Sequence, residues 1–440
     1  MTAASTLAPP TDAGTDAGTV VTLLHFNDLH AHLVPHNTLL ADGDGGVTVA
    51  RRGGIARLAT LIAQQRAEAP NTLLVNVGDT YHGGVEALYT SGEAVARAVN
   101  ALHIDVGVPG NWDYAYGPIV TRVRYKQTAT IGMQECLQLG FAQNPGGPMG
   151  GGVPTLTPPN FPNLAANVTF KQSPSTPAGT PFLPATFTKQ VGGVTVGFIG
   201  LTSDIVPRMH FMLACGLDFL GADDLASGNS AAWDAKYTQL VQQHAAQLRA
   251  AGAQVVVVLS ELSLQKDFHL ANLLPAGTVD AFLSAHTHET SFTPLVSRGG
   301  AWVMEAGDDT WLGRLDLRVM NGVVVDRQWK LMPATSVLPE DPAVAQLVTQ
   351  ARAPFLTANP NLTIPGNTGA QLALTEPITT VIGHTPGLLT RKQALDSSFN
   401  DFFAESLRLR ATEAPDSGRL LRCYSENHSP QRDNAGRLPR

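Results

Sequence analysis

Cysteine is scarce in this chain: three in 440 residues, Cys136, Cys215 and Cys423, with no C-x-x-C pair. That excludes a disulfide framework and a structural zinc module, and the expectation is three free thiols, with one bridge as the alternative. Long apolar runs are missing too, so no segment reads as a membrane span. The first residues, MTAASTLAPPTDAGTDAGTV, lack the apolar core of a signal peptide. Residues 1–19 are expected to be a disordered lead-in. As written the chain reads as cytoplasmic, or as periplasmic or secreted if a leader has been removed. Positive charge is also in short supply, with 29 Lys+Arg against 36 Asp+Glu and a net charge of −7. Without basic clusters, a nucleic acid polymer is not expected as a partner, and neither is a membrane. Solenoid-period repeats are absent. What remains is a globule with core enough for one large domain or two smaller ones.

Leu23–His32, LLHFNDLHAH, is the stretch around which the rest is organised. An apolar run (Val20, Val21, Leu23, Leu24) leads into a polar knot of Asn27, Asp28, His30 and His32, as a buried strand does when it delivers ligands at its carboxyl end. On an extended backbone Asp28 and His30, two apart, face one side. A carboxylate with an imidazole suits a divalent transition metal. The plainer reading is an Asp capping a turn beside a packed His.

Four further apolar strands end in polar residues. Thr72–Val77 runs into Gly78-Asp79, Asp105–Val108 into Gly110-Asn111-Trp112-Asp113, Gln254–Leu259 into Ser260-Glu261, and Thr278–Leu283 into His286-Thr287-His288. Helical patterns over Gly53–Glu68, Glu93–Leu102, Ala231–Ala251 and Lys266–Leu274 alternate with them, which is the β-α-β rhythm of helix-covered sheets. A strand is also expected at Asn163–Phe170, and another at Val194–Leu201. Residues 143–190 are a Pro/Gly-rich insertion; its Gly146–Gly152 run is no phosphate loop, because no strand feeds it. A Pro-bounded shift near Met332–Pro342 suggests a boundary, with helices expected at Ala343–Ala353 and Leu395–Arg410 and a poorly ordered end from Ala414 to Arg440. Chance explains any one polar pair; five at strand ends point to a two-metal centre.

The order D-x-H, G-D, G-N-x-D, H-x-H resembles that of the calcineurin-like metallophosphoesterases. LLHFNDLHAH, GGIARLAT, FPNLAANV, VGFIGLTS, VDAFLSAHTH and WVMEAGDDTWLGRLDL look like their 5′-nucleotidase branch. GDTYHGG, GNWDYAYG and VIGHTPGLLTRK…SSFNDFFAESLR look more like the thiosulfohydrolase of bacterial sulfur oxidation. The resemblance implies an α/β fold, a four-layer α-β-β-α sandwich over 20–335, followed by a truncated C-terminal domain over 336–440. It also implies a hydrolase working through a metal-bound hydroxide. One metal would sit on Asp28, His30, Asp79 and His288, the other on Asp79, Asn111, His286 and residue 261. The two divalent ions would be manganese first, with zinc or iron(II) as the other candidates. The substrate would be a small phosphoester such as a nucleotide, or a sulfur oxyanion; a degenerate, non-catalytic metal-binding member is the rival reading.

Three departures qualify the resemblance. The family's nucleotidases carry His after the metal-binding Asn and Asp three further on; here these positions hold Trp112 and Ala115. Tryptophan cannot act as a general acid. The expected His at the second metal is Glu261, a carboxylate that either ligates a harder ion or turns away. Finally, the match stops near Arg410. The catalytic candidates are therefore Asn111, Trp112 and His82, the last as a substitute acid, with a loop histidine at the surface as its plainer reading. Tyr81, Trp112, Tyr114 and Tyr116 form an aromatic wall or pack in the core. His32 is expected to cap the first turn, and His25 to be packed.

Overall fold

The computed structural model describes residues 18–41, 47–126, 155–363, 371–384 and 402–408. The expected tail, the Gly146–Gly152 run, Cys136, Cys423 and the stretch from Ala414 onward lie outside, or almost wholly outside, the described residues. In chain order the strands are β1 (Thr19–Asn27), β2 (His36–Ala41), β3 (Val47–Arg52), β4 (Thr72–Val77), β5 (Val106–Val108), β6 (Val168–Phe170), β7 (Thr186–Val191) and β8 (Val194–Leu201). They continue as β9 (Leu217–Phe219), β10 (Val255–Ser260), β11 (Ala281–Ser284), β12 (Leu295–Val296), β13 (Trp302–Glu305), β14 (Trp311–Met320) and β15 (Val323–Pro333).

Two sheets carry the fold, in the orders β15-β14-β1-β4-β5 and β12-β13-β11-β10-β8-β7. Alternation along each strand decides what lies on either face. In β10 (VVVVLS), Val255, Val257 and Leu259 enter the core between the sheets, whereas Val256 and Val258 enter the one under helices Ser230–Ala250 and Leu264–Leu273. In β1, Val21 and Leu23 face the other sheet, while Leu24 and Phe26 face helices Ile55–Glu68 and Glu93–Asn100. Strands apolar on both faces can only lie between two covering layers, as parallel sheets do. The result is α-β-β-α, the expected four layers.

Parallel pairing of β1 with β4, β4 with β5, β8 with β10 and β10 with β11 points all six of these carboxyl ends the same way within each sheet. Helix Pro342–Arg352 sets Val344 and Val348 into the core that covers the first sheet. The first compact unit, Met1–Ile378, therefore runs past the shift near residue 335 where a boundary was expected. In the second unit, Thr379–Arg440, residues 402–408 are helical.

Some local expectations change. The strand expected at Asn163–Phe170 shortens to β6, because Asn163 to Asn167 make irregular bonds such as Ala166 N–H to the Gly200 carbonyl. The β2–β3 hairpin was not anticipated. Cys215, the one cysteine among the described residues, is disulfide-bonded, so three free thiols do not occur. Among the described residues no helix is long and apolar enough to cross a membrane.

Candidate metal centre

Asp28 and His30 do not lie on extended backbone. β1 ends at Asn27, and Asp28 and His30 take the left-handed conformation at φ 49° and 44°. Asp79, His286 and His288 are left-handed as well, at φ 44°, 84° and 55°. Non-glycine residues rarely adopt this region, and such strain gathers where a structure must aim side chains. Here it turns five side chains off strand ends into one place.

Two groups result. In the first, the buried Asp28 holds Oδ1 at 3.2 Å from His288 Nε2 and 3.6 Å from His30 Nε2, and the two imidazole nitrogens stand 3.1 Å apart. His30 Nε2 is also 3.8 Å from Asp79 Oδ2, which links this group to the next. In the second, Asp79, Glu261 and His286 offer ligand atoms within 4.8 Å of one another. Glu261 Oε2 lies 3.7 Å from His286 Nδ1, and Asn111 Oδ1 lies 2.8 Å from the same nitrogen. All seven residues expected to hold metal are thus drawn to the strand ends.

The surroundings aim these groups. Asn27 donates to Asp28 Oδ2 at 2.7 Å, as does the His286 backbone N–H at 3.0 Å. Trp112 N–H donates to Asp79 Oδ1 at 2.7 Å, and His30 Nδ1 meets the His82 carbonyl at 3.1 Å. Outer contacts of this kind fix the orientation of metal ligands. Asp113 is a residue whose role sequence reasoning missed. Its carboxylate accepts from the backbone N–H of Thr80 (3.0 Å), Tyr81 (2.8 Å) and Gly110 (2.9 Å), tying the loop that bears Asp79 to the one that bears Asn111. The only signal was an Asp inside GNWD.

Do these donors fit cations? Glu261 is fully buried, and neither carboxylate oxygen has a hydrogen-bond partner; Asp28 Oδ1 lacks one as well. Burial, then the Asp79 charge, pushes the Glu261 carboxyl well above its usual range. Burial and Asp28 do the same to Asp79. His30 is held up at about 9: burial opposes this, but Asp28 and Asp79 outweigh it. A buried charge is costly unless paired or bound to a metal, and this pocket favours positive charge. Glycines keep it open: a Cβ on Gly78 would overlap the Glu261 side chain, and one on Gly110 would overlap both Asp79 and Glu261. The donor set fits divalent cations.

At the mouth, Trp112 is 41% exposed and stacks on His82, with ring centroids 4.8 Å apart and planes at 25°. Tyr81, Tyr114 and Tyr116 are buried, so of the expected aromatic wall only Trp112 is exposed. His32 does not cap its turn; its Nδ1 meets Asp309 Oδ1 at 2.9 Å.

Residues 21–156, which deliver Asp28, His30, Asp79 and Asn111, match the calcineurin-like phosphoesterase family. That segment is similar to a calcineurin-like phosphoesterase domain over under a third of the chain. It is 28% identical over 208 residues to human 5′-nucleotidase, covering 47% of this chain and 30% of that one. Among solved structures it is similar to the sulfate thiohydrolase SoxB of Thermus thermophilus, with TM-score 0.58, 22% identity, and coverage of 80% of this chain and 62% of that one. It is also similar to a 5′-nucleotidase precursor from the same species, with TM-score 0.56, 21% identity, and coverage of 77% and 61%. The matched segment thus spans under a third of human 5′-nucleotidase. The segment from β8 to β14, which lies wholly beyond the family match, supplies Glu261, His286 and His288.

Proposed function

We propose that the chain is a metal-dependent hydrolase of phosphate monoesters such as nucleotides, working at a pair of divalent cations. The observation that carries this reading is Glu261, a fully buried carboxylate with neither oxygen hydrogen-bonded, beside Asp79 and His286. One cation would be held by Asp28, His30, Asp79 and His288, the other by Asp79, Asn111, Glu261 and His286. Bound there, the pair supplies Lewis-acid charge that lowers the pKa of a water and stabilises a developing oxyanion. Three carboxylates and an amide oxygen make an oxygen-rich set that favours manganese.

The chain's own groups do the rest. Asn111 and Glu261 orient the His286 ring, and Asn27 with the His286 N–H holds Asp28. Trp112 excludes water from one side of the mouth but has no proton to give. His82, stacked on it, would be the imidazole that protonates a leaving oxygen.

A second reading has one observation in its favour, the indole at Trp112 where a proton donor would serve an alkoxide leaving group. An S-sulfonated thiol needs no such donor. Water oxygen bonds to the sulfonate sulfur, the S–S bond breaks, and the electron pair leaves on a weakly basic thiolate, giving sulfate. The test is turnover by the manganese-reconstituted full chain of AMP, p-nitrophenyl phosphate and an S-sulfonated thiol. Phosphomonoester turnover that EDTA abolishes supports the first reading. Turnover of the sulfonate alone selects the second. No turnover of any of them contradicts both.

A further inference from the structure

Outside the paired centre, a second cluster of ligand-type side chains draws together His32, His36 and Asp309. His32 Nδ1 lies 2.9 Å from Asp309 Oδ1, and His36 Nε2 lies 3.0 Å from both Asp309 oxygens. The two imidazoles pack with centroids 4.4 Å apart. Asp309 is buried, while both histidine rings reach partly into solvent. The three come from distant segments: the loop after β1, the first residue of β2, and the turn between β13 and β14.

We propose that His32 Nδ1, His36 Nε2 and the Asp309 carboxylate form a mononuclear site for a zinc-class divalent ion, separate from the paired centre and with its fourth position open to water. Two nitrogens and a carboxylate oxygen are a donor set zinc takes. A tetrahedron with bonds of about 2.0–2.1 Å has edges of roughly 3.3 Å, so separations of 2.9 and 3.0 Å between donors need only a small outward shift. Asp309 is held for the task. Asp308 Oδ1 accepts from the Thr310 N–H and hydroxyl, fixing the turn, and a Cβ on Gly53 would press on Asp309 Oδ2.

The site has a structural consequence. Among the described residues β2 and β3 form a two-stranded sheet joined to its surroundings by one isolated bridge from Arg52 to Thr335, and a lone two-stranded hairpin is marginal in water. Its foot is tied by the Gly53 N–H to the Ala334 carbonyl and by Arg52 lying 4.9 Å over the Trp311 ring. An ion on His36 and Asp309 fastens the other strand of the hairpin to the β13–β14 turn.

The test is zinc content of the full chain, stripped with EDTA, dialysed against zinc and analysed by elemental mass spectrometry, beside His36→Gln and His32→Gln. Glutamine keeps an N–H donor toward Asp309, so the variants retain the hydrogen bond while losing the imidazole ligand. Each variant is expected to hold one equivalent less than wild type, whatever the paired centre retains. Hydrogen exchange in β2 and β3 is expected to slow when zinc is added to wild type and to stay unchanged in His36→Gln. Equal zinc content in all three proteins would overturn the proposal and leave a hydrogen-bonded His-Asp-His cluster.

Discussion

Glu261 Oε2 lies 3.7 Å from Nδ1 of His286, at the ends of β10 and β11, and no hydrogen-bond donor reaches either Glu261 oxygen. Positive charge beside it is what makes that burial tolerable. Glu261→Gln keeps the shape and removes the charge. It is expected to weaken cation binding by more than the ~10–100-fold that loss of an outer partner costs. Calorimetric manganese titration of the stripped protein checks this; an unchanged affinity would put Glu261 outside the centre.

Gly110→Ala places a methyl against the Asp79 backbone nitrogen and Glu261 Oε1, and backbone cannot swing aside. Loss of metal-dependent activity is expected with the fold preserved by circular dichroism. Activity within twofold of wild type would show that the loop relaxes.

Asp113→Ala removes the acceptor of three backbone N–H groups on two ligand-bearing loops. Each buried donor left unsatisfied costs about 1–3 kcal/mol. A clear fall in Tm is expected together with loss of activity; an unchanged Tm would mean that water replaces the carboxylate.

His25 sits fully buried in β1, with neither ring nitrogen hydrogen-bonded, and burial drives its pKa down to about 3, against a small opposing pull from Asp28. Between pH 6.5 and 3 the unfolded chain binds a proton that the folded chain refuses. Stability therefore falls as the pH is lowered through that window, by on the order of 1.4 kcal/mol per unit from this group. His25→Leu is expected to flatten the slope of urea-unfolding free energy between pH 6.5 and 5. The same slope in both proteins would contradict it.

His82→Ala separates proton donation from the rest of the chemistry. Removing a general acid costs about 10²–10⁴-fold, and the loss should fall on alkyl phosphates while sparing p-nitrophenyl phosphate, whose leaving group needs no proton. Equal losses on both would make His82 a packing partner of Trp112 and nothing more.

Much of this was legible in the sequence because apolar strands ending in Asp, His, Asn or Glu carry their own punctuation. The β-α-β rhythm and the seven candidate ligand positions came from that pattern and from resemblance. What was not legible depended on distant contact. His36 and Asp309 are 273 residues apart and meet only through the β13–β14 turn. Asp113 binds backbone, which leaves no pattern in side-chain spacing. The left-handed turns at Asp28 and His30 were hidden because neither residue is a glycine, the usual mark of positive φ. Cys215 had no visible partner in spacing alone.

The most direct test of the central claim is anomalous diffraction from crystals of the full chain grown with manganese. Two anomalous peaks are predicted, one among Asp28, His30 and His288 and one among Asp79, Glu261 and His286, with a Glu261 oxygen within bonding distance of the second. A single peak, or a Glu261 carboxylate turned away from both, would contradict the account.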